Sequence, residues 1–127
     1  MNLTVEFEFA ASHQLHHVLA GPHLHGHNYL LYVEVGGPVD PATGFVADFD
    51  LIEQVVRREV IDRIDHRHLN DFLEQPTAEV MLAWFWRRLA PHLPLVSLRL
   101  HETRRYYATY HGEPGILVRF APGYSEG

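Results

Sequence analysis

The sequence predicts an α+β fold in two layers: an antiparallel sheet of four strands with two helices on one face. Three observations carry this. Apolar and polar residues alternate strictly in two segments near the N-terminus. Apolar residues at 3–4 spacing then mark two helices in the middle of the chain. Alternation returns after the second helix, and strands interrupted by a helix pair point to an antiparallel sheet with its helices segregated to one side.

The first strand is "LTVEFEF", with Leu3, Val5, Phe7 and Phe9 on one face and Thr4, Glu6 and Glu8 on the other. The second is "NYLLYVEV", where Tyr29, Leu31, Val33 and Val35 oppose Leu30, Tyr32 and Glu34. Both its faces are largely apolar, so both are expected to be covered, one of them by a partner subunit. "GGPVDPATG" is turn chemistry. Residues 50–65 form the first helix, with Leu51, Ile52, Val55, Val56, Val60 and Ile64 as its apolar stripe and Asp50, followed by Glu53, as its N-cap in the acidic analogue of a capping box. "HRHLNDFLEQP" is expected to be an irregular connection. The second helix spans residues 77–93, with Thr77 as N-cap after Pro76, Val80, Ala83, Trp84 and Phe85 toward the core, and Pro91 and Pro94 bracketing its end. "LVSLRLHET" and "RYYATYH" form a hairpin through residues 103–105. The tail "EPGILVRFAPGYSEG" adds a short edge strand before fraying, leaving residues 113–127 peripheral to a single domain, 1–127.

Composition narrows the function. The 127 residues carry a formal net charge of −6, which argues against nucleic acid as the main partner. No apolar run approaches the roughly 18 residues that span a bilayer, and the N-terminus lacks the basic and apolar regions of a secretory signal, so a cytoplasmic protein without membrane association is expected. All ten basic residues are Arg, which excludes a Schiff-base lysine. The chain has no Cys, so neither disulfides nor thiolate chemistry are available. Its eleven histidines are a heavy excess, and six of them lie between positions 13 and 27.

His25 and His27 stand two apart at the mouth of the second strand, so their side chains share a face. They form two corners of a metal site, or else are two solvent-exposed histidines near a turn or core histidines satisfied by backbone carbonyls. His13 ends the first strand. If the two strands pair as a hairpin, His13 meets His25 and His27, and three imidazoles with one open position are what a catalytic zinc requires.

"FAASHQL", "LHGHNYLLYVEV", "GFVADFDLIE", "IDHRHLND", "PTAEVMLAWFW" and "LHET" occur in this order. The series resembles the 6-pyruvoyl-tetrahydropterin synthase family, over roughly residues 4–112. It is most similar to the bacterial 6-carboxy-tetrahydropterin synthases of queuosine biosynthesis. The resemblance implies the tunnelling fold, in which sheets of separate subunits join into a barrel, as homotrimers stacked into hexamers with active sites between subunits. It implies Zn²⁺ on His13, His25 and His27, a catalytic pair at Asp65 and His66, a pterin-anchoring carboxylate at Glu102, and Thr77 near the pterin ring. A carboxylate suits the guanidine-like edge of a pterin, because it accepts two N–H donors at once. From spacing alone, the favoured reading of Glu102 is a solvent-facing strand residue paired with Arg104, that of Asp65–His66 a loop turn, and that of Thr77 a helix cap and nothing more.

The chain departs from the family at one position. A cysteine that serves as proton-abstracting base normally stands four residues before the first histidine of HGH; here that residue is Gly21. Among the loop histidines His16, His17 and His23, the last is closest to the gap, and an imidazole suits proton transfer at neutral pH. The expected activity is a lyase reaction on 7,8-dihydroneopterin triphosphate, of the 6-carboxy type first and the 6-pyruvoyl type next. The competing expectation is a pterin- or purine-binding protein that keeps the zinc site and has lost or altered the chemistry.

Overall fold

The structure is a computed structural model that describes all residues except 17, 18, 20–23 and 127, and omits the side chain of residue 25. Two long strands form its centre, β1 (Asn2–Gln14) and β2 (Leu24–Gly36). They pair antiparallel along their whole length, from Asn2 opposite Gly36 to Gln14 opposite Leu24. β4 (Leu95–His101) pairs with β2, and β5 (Tyr107–Tyr110) pairs with β4, both antiparallel.

The sheet has five strands and not the four expected: with β3 (Arg67–His68) at the edge, the order is β3-β1-β2-β4-β5. This extra strand is two residues long and runs parallel to β1. It lies inside the "HRHLNDFLEQP" segment expected to be irregular. Two residues are too few to show alternation, so only their position beside β1 makes them a strand.

The helix expected over residues 50–65 is helical throughout but not uniform. α1 (Phe49–Val56) passes into a π-helical turn (Arg57–Ile61) and then the short α2 (Asp62–Ile64). Its N-cap is Asp48, whose carboxylate accepts the Asp50 N–H at 2.9 Å; the cap therefore lies two residues earlier than expected. Ile52, Val55, Val56, Val60 and Ile64 are buried as the spacing predicted, while Leu51 faces outward. α3 (Ala78–Leu89) starts where expected, with the Thr77 hydroxyl accepting the Val80 N–H at 3.2 Å.

The core lies between one face of the sheet and these helices. Phe7 and Phe9 of β1, the odd-numbered residues 29–35 of β2, and Leu98 and Leu100 of β4 are buried against Ile52, Val56, Trp84 and Phe85. Among the described residues, no helix covers the opposite face. It carries Tyr32, whose hydroxyl donates to Glu6, and Arg99, whose guanidinium lies 4.5 Å from the Tyr32 ring centre. Among the described residues the tail forms an isolated bridge, Leu73 with Phe120, and no edge strand. It then packs Tyr124 against Phe72 and Trp84.

Candidate metal centre and cavities

Strand register builds the site. His13 is opposite His25, and His27 follows two residues along β2. Alternation from Phe9 places His13 on the helix-covered face, and alternation from Tyr29 places His27 there too. Glu102 stands one residue past the end of β4, on the same face as the buried Leu100. The side chains converge: Glu102 Oε1 is 3.3 Å from His13 Nε2 and 3.1 Å from His27 Nε2. The two imidazole centres are 5.1 Å apart.

The ligand atoms of His13, His27 and Glu102 all lie within 4.8 Å of one another, close enough to hold one metal ion. The donor set suits zinc, which takes imidazole nitrogen and carboxylate oxygen. His13 is 2% exposed, and its Nδ1 lies 2.8 Å from the Tyr29 hydroxyl, so the ring is held at both nitrogens. A ligating histidine needs such a partner on its second nitrogen to fix ring and tautomer. The side chain of His25 lies outside the described residues, as do Gly21, His17 and His23.

Several residues that position this centre escape sequence reasoning. Asn70 holds the end of β1 just past His13, accepting the Gln14 N–H at 2.7 Å and donating to the Gln14 carbonyl at 2.9 Å. Gln75 does the same one turn of chain further on, with the His16 N–H at 3.4 Å and its carbonyl at 2.9 Å. Both lie more than fifty residues from their partners, so no local pattern reveals them. Tyr29 shows in the sequence only as a core residue of the second strand.

Asp65 and His66 are latched to β1 instead. Asp65 Oδ1 accepts the Ala10 N–H at 3.0 Å and lies 3.0 Å from His66 Nδ1. The His66 N–H donates to the Ala10 carbonyl at 2.6 Å. His66 has φ +61°, the left-handed region that L-residues avoid, and its side chain is 81% exposed. Backbone strain of this kind persists only where surrounding contacts enforce it. His66 lines a cavity of about 620 Å³ together with Ser12, His27, Asn28, Arg67 and His68. The Ser12 hydroxyl lies 3.0 Å from His68 Nδ1 on its wall.

Glu102 opens on a second cavity, of about 370 Å³, bounded by Ala78, Glu79, Tyr106, Tyr107 and Ala108. Two carboxylates and two aromatic rings around one space suit a flat heterocycle rich in N–H donors. Thr77 caps the helix whose first turn forms one wall. Glu79, two residues after Thr77 in the "PTAE" segment, lines the same cavity, although nothing in its spacing distinguishes it from a first-turn helix acid.

The family model described as 6-pyruvoyl tetrahydropterin synthase matches residues 2–113. The 6-pyruvoyl tetrahydrobiopterin synthase of Poecilia reticulata is 28% identical over 83% of this chain and 86% of its own length. The 6-carboxy-5,6,7,8-tetrahydropterin synthase of Synechocystis is 37% identical over 66% of this chain and 70% of its own. Among solved structures, the 6-pyruvoyl tetrahydropterin synthase of Caenorhabditis elegans superimposes with a TM-score of 0.79 at 26% identity, over 89% of this chain and 96% of that one.

Proposed function

Because this chain belongs to the 6-pyruvoyl tetrahydropterin synthase family, we propose that it is a zinc-dependent pterin synthase acting on 7,8-dihydroneopterin triphosphate, of the 6-carboxy-tetrahydropterin type used in queuosine biosynthesis. The observation that carries the proposal is the meeting of His13, His27 and Glu102, the last of which also lines a cavity with aromatic and acidic walls. The higher identity to the Synechocystis 6-carboxy enzyme favours that branch over the 6-pyruvoyl one.

In this reading His13, His25 and His27 would hold the ion, which when bound would supply Lewis-acid chemistry for side-chain hydroxyls of the substrate. Glu102 accepts the N–H donors of the pterin edge, next to Thr77 at the head of α3. Asp65 orients His66 for proton transfer, and the latch to Ala10 holds the pair in its strained backbone. His23 replaces the absent thiol as proton-abstracting base. The enzyme works as a cytoplasmic homotrimer or hexamer, with Asp65 and His66 completing sites between subunits. Among the described residues no helix is long and apolar enough to cross a membrane.

Incubation of the zinc-loaded protein with 7,8-dihydroneopterin triphosphate tests the proposal. A 6-carboxy or 6-pyruvoyl pterin product is expected, and absence of both turnover and pterin binding overturns it. The second reading, a pterin binder without turnover, is favoured by Gly21 in the cysteine position. His23→Ala and Gly21→Cys separate the two. If His23 is the base, its loss lowers turnover by about 10²–10⁴-fold with zinc retained. An inactive parent rescued by Gly21→Cys identifies a site that binds pterin and has lost its base.

A further inference from the structure

Tyr29 is the partner of His13, a polar side chain buried in the core. His13 is 2% exposed and Tyr29 1%. The hydroxyl stands 2.8 Å from His13 Nδ1, and the ring is stacked on Phe9 with centres 4.9 Å apart and planes 10° from parallel. That stacking fixes where the oxygen points.

We propose that Tyr29 is a positioning residue whose hydroxyl reverses from donor to acceptor when His13 takes a metal ion, so that His13 changes tautomer without leaving a buried nitrogen unpaired. The inference rests on the metal reading of the histidine cluster. A neutral imidazole carries one N–H and one lone pair. Without metal, His13 Nε2 faces Glu102 Oε1 at 3.3 Å, and a carboxylate can only accept, so the proton sits on Nε2. Nδ1 then presents its lone pair, and the Tyr29 O–H donates to it. With metal, the Nε2 lone pair goes to the ion. The proton then sits on Nδ1, and the Tyr29 oxygen accepts it.

A hydroxyl serves both states because it can donate and accept; a backbone carbonyl in the same place would satisfy only the second. The switch therefore involves rotation of one O–H and relocation of one imidazole proton, with no change in the charge of either residue.

Tyr29→Phe keeps the ring and its stacking and removes only the oxygen. Zinc affinity of the full chain, measured by competition with a chromogenic chelator, is expected to fall by about 10–100-fold, as for other partners of metal-bound histidines. Side-chain ¹⁵N spectra of the unsubstituted protein supply a second readout that a purely structural role would not move. His13 is expected to carry its proton on Nε2 without zinc and on Nδ1 with it. Equal zinc affinity in Tyr29→Phe, or one His13 tautomer in both states, overturns the inference. A parent protein that binds no zinc overturns the metal reading itself. If Tyr29→Phe does not fold, the spectra decide alone.

Discussion

Glu102 is the residue on which two readings of the site divide. Its Oε1 stands within 3.3 Å of both imidazoles, so it can be a third metal ligand or the anchor for a pterin. Glu102→Gln keeps the shape and removes the charge. As pterin anchor, it should lose about 2–3 kcal/mol of pterin affinity, the range for a charge-assisted hydrogen bond, with zinc content unchanged. Zinc lost along with the charge would make it a ligand. His66 poses a different residue-scale question, because φ +61° is unfavourable for any side chain with a Cβ. His66→Gly is expected to raise stability by up to about 1 kcal/mol and to abolish turnover. A loss of stability in thermal unfolding would show that the backbone stores no strain there.

At the scale of elements, the helices depend on their caps. Thr77 accepts the Val80 N–H and satisfies an amide that the first turn of α3 cannot. Thr77→Ala should cost about 1 kcal/mol, a fall of roughly 3–5 °C in Tm for a chain of this size. An unchanged Tm would mean the hydroxyl is spare, and its value would then lie in the cavity alone. The cap of α3 was legible because Pro76 and Thr77 precede an apolar run. The cap of α1 was misread, since Asp48 and Asp50 are equivalent by type and only backbone conformation distinguishes them: Asp48 is extended and Asp50 is already helical. The π-helical turn left no sign in the spacing either. Val56, Val60 and Ile64 keep a regular four-residue spacing across it.

Across the whole molecule, the tail is clasped to α3. Glu126 accepts from Trp84 Nε1 at 2.8 Å and Arg88 at 3.1 Å, and Arg88 also donates to Glu59 at 3.2 Å. Burial works against the ionised form of Glu126, but hydrogen bonds from Tyr124 and Trp84 and the Arg88 charge outweigh it and hold the carboxyl below its ordinary value of 4.5. Glu59 is likewise opposed by burial and lowered by Arg58 and Arg88. A depressed folded pKa gives stability that is complete above the unfolded value and is lost as pH falls through the folded one. Thermal stability should therefore drop below about pH 4.5, and less steeply in Glu126→Gln. An equal acid slope in that variant would remove the clasp from the account. Mass measurement in solution addresses the assembly: a trimer or hexamer is expected, and a stable monomer at micromolar concentration would count against sites shared between subunits.

The sequence by itself determined the layers. Period-2 alternation gave β1, β2 and their buried faces, and 3–4 spacing gave the helices, because a one-sided core imprints its geometry on each segment separately. It also placed His13 beside the HGH segment, since a hairpin of two long strands leaves little freedom of register. Only the tertiary structure decided that Glu102 reaches both imidazoles across β2, that Tyr29 holds His13 from behind, and that Asn70 and Gln75 pin the strand end. It alone revealed β3, and with it the latch that fixes Asp65 and His66 on Ala10. Each of these joins residues far apart in the chain. A polar side chain does not betray in its own neighbourhood which distant donor or acceptor will satisfy it, and that choice is made when the layers close.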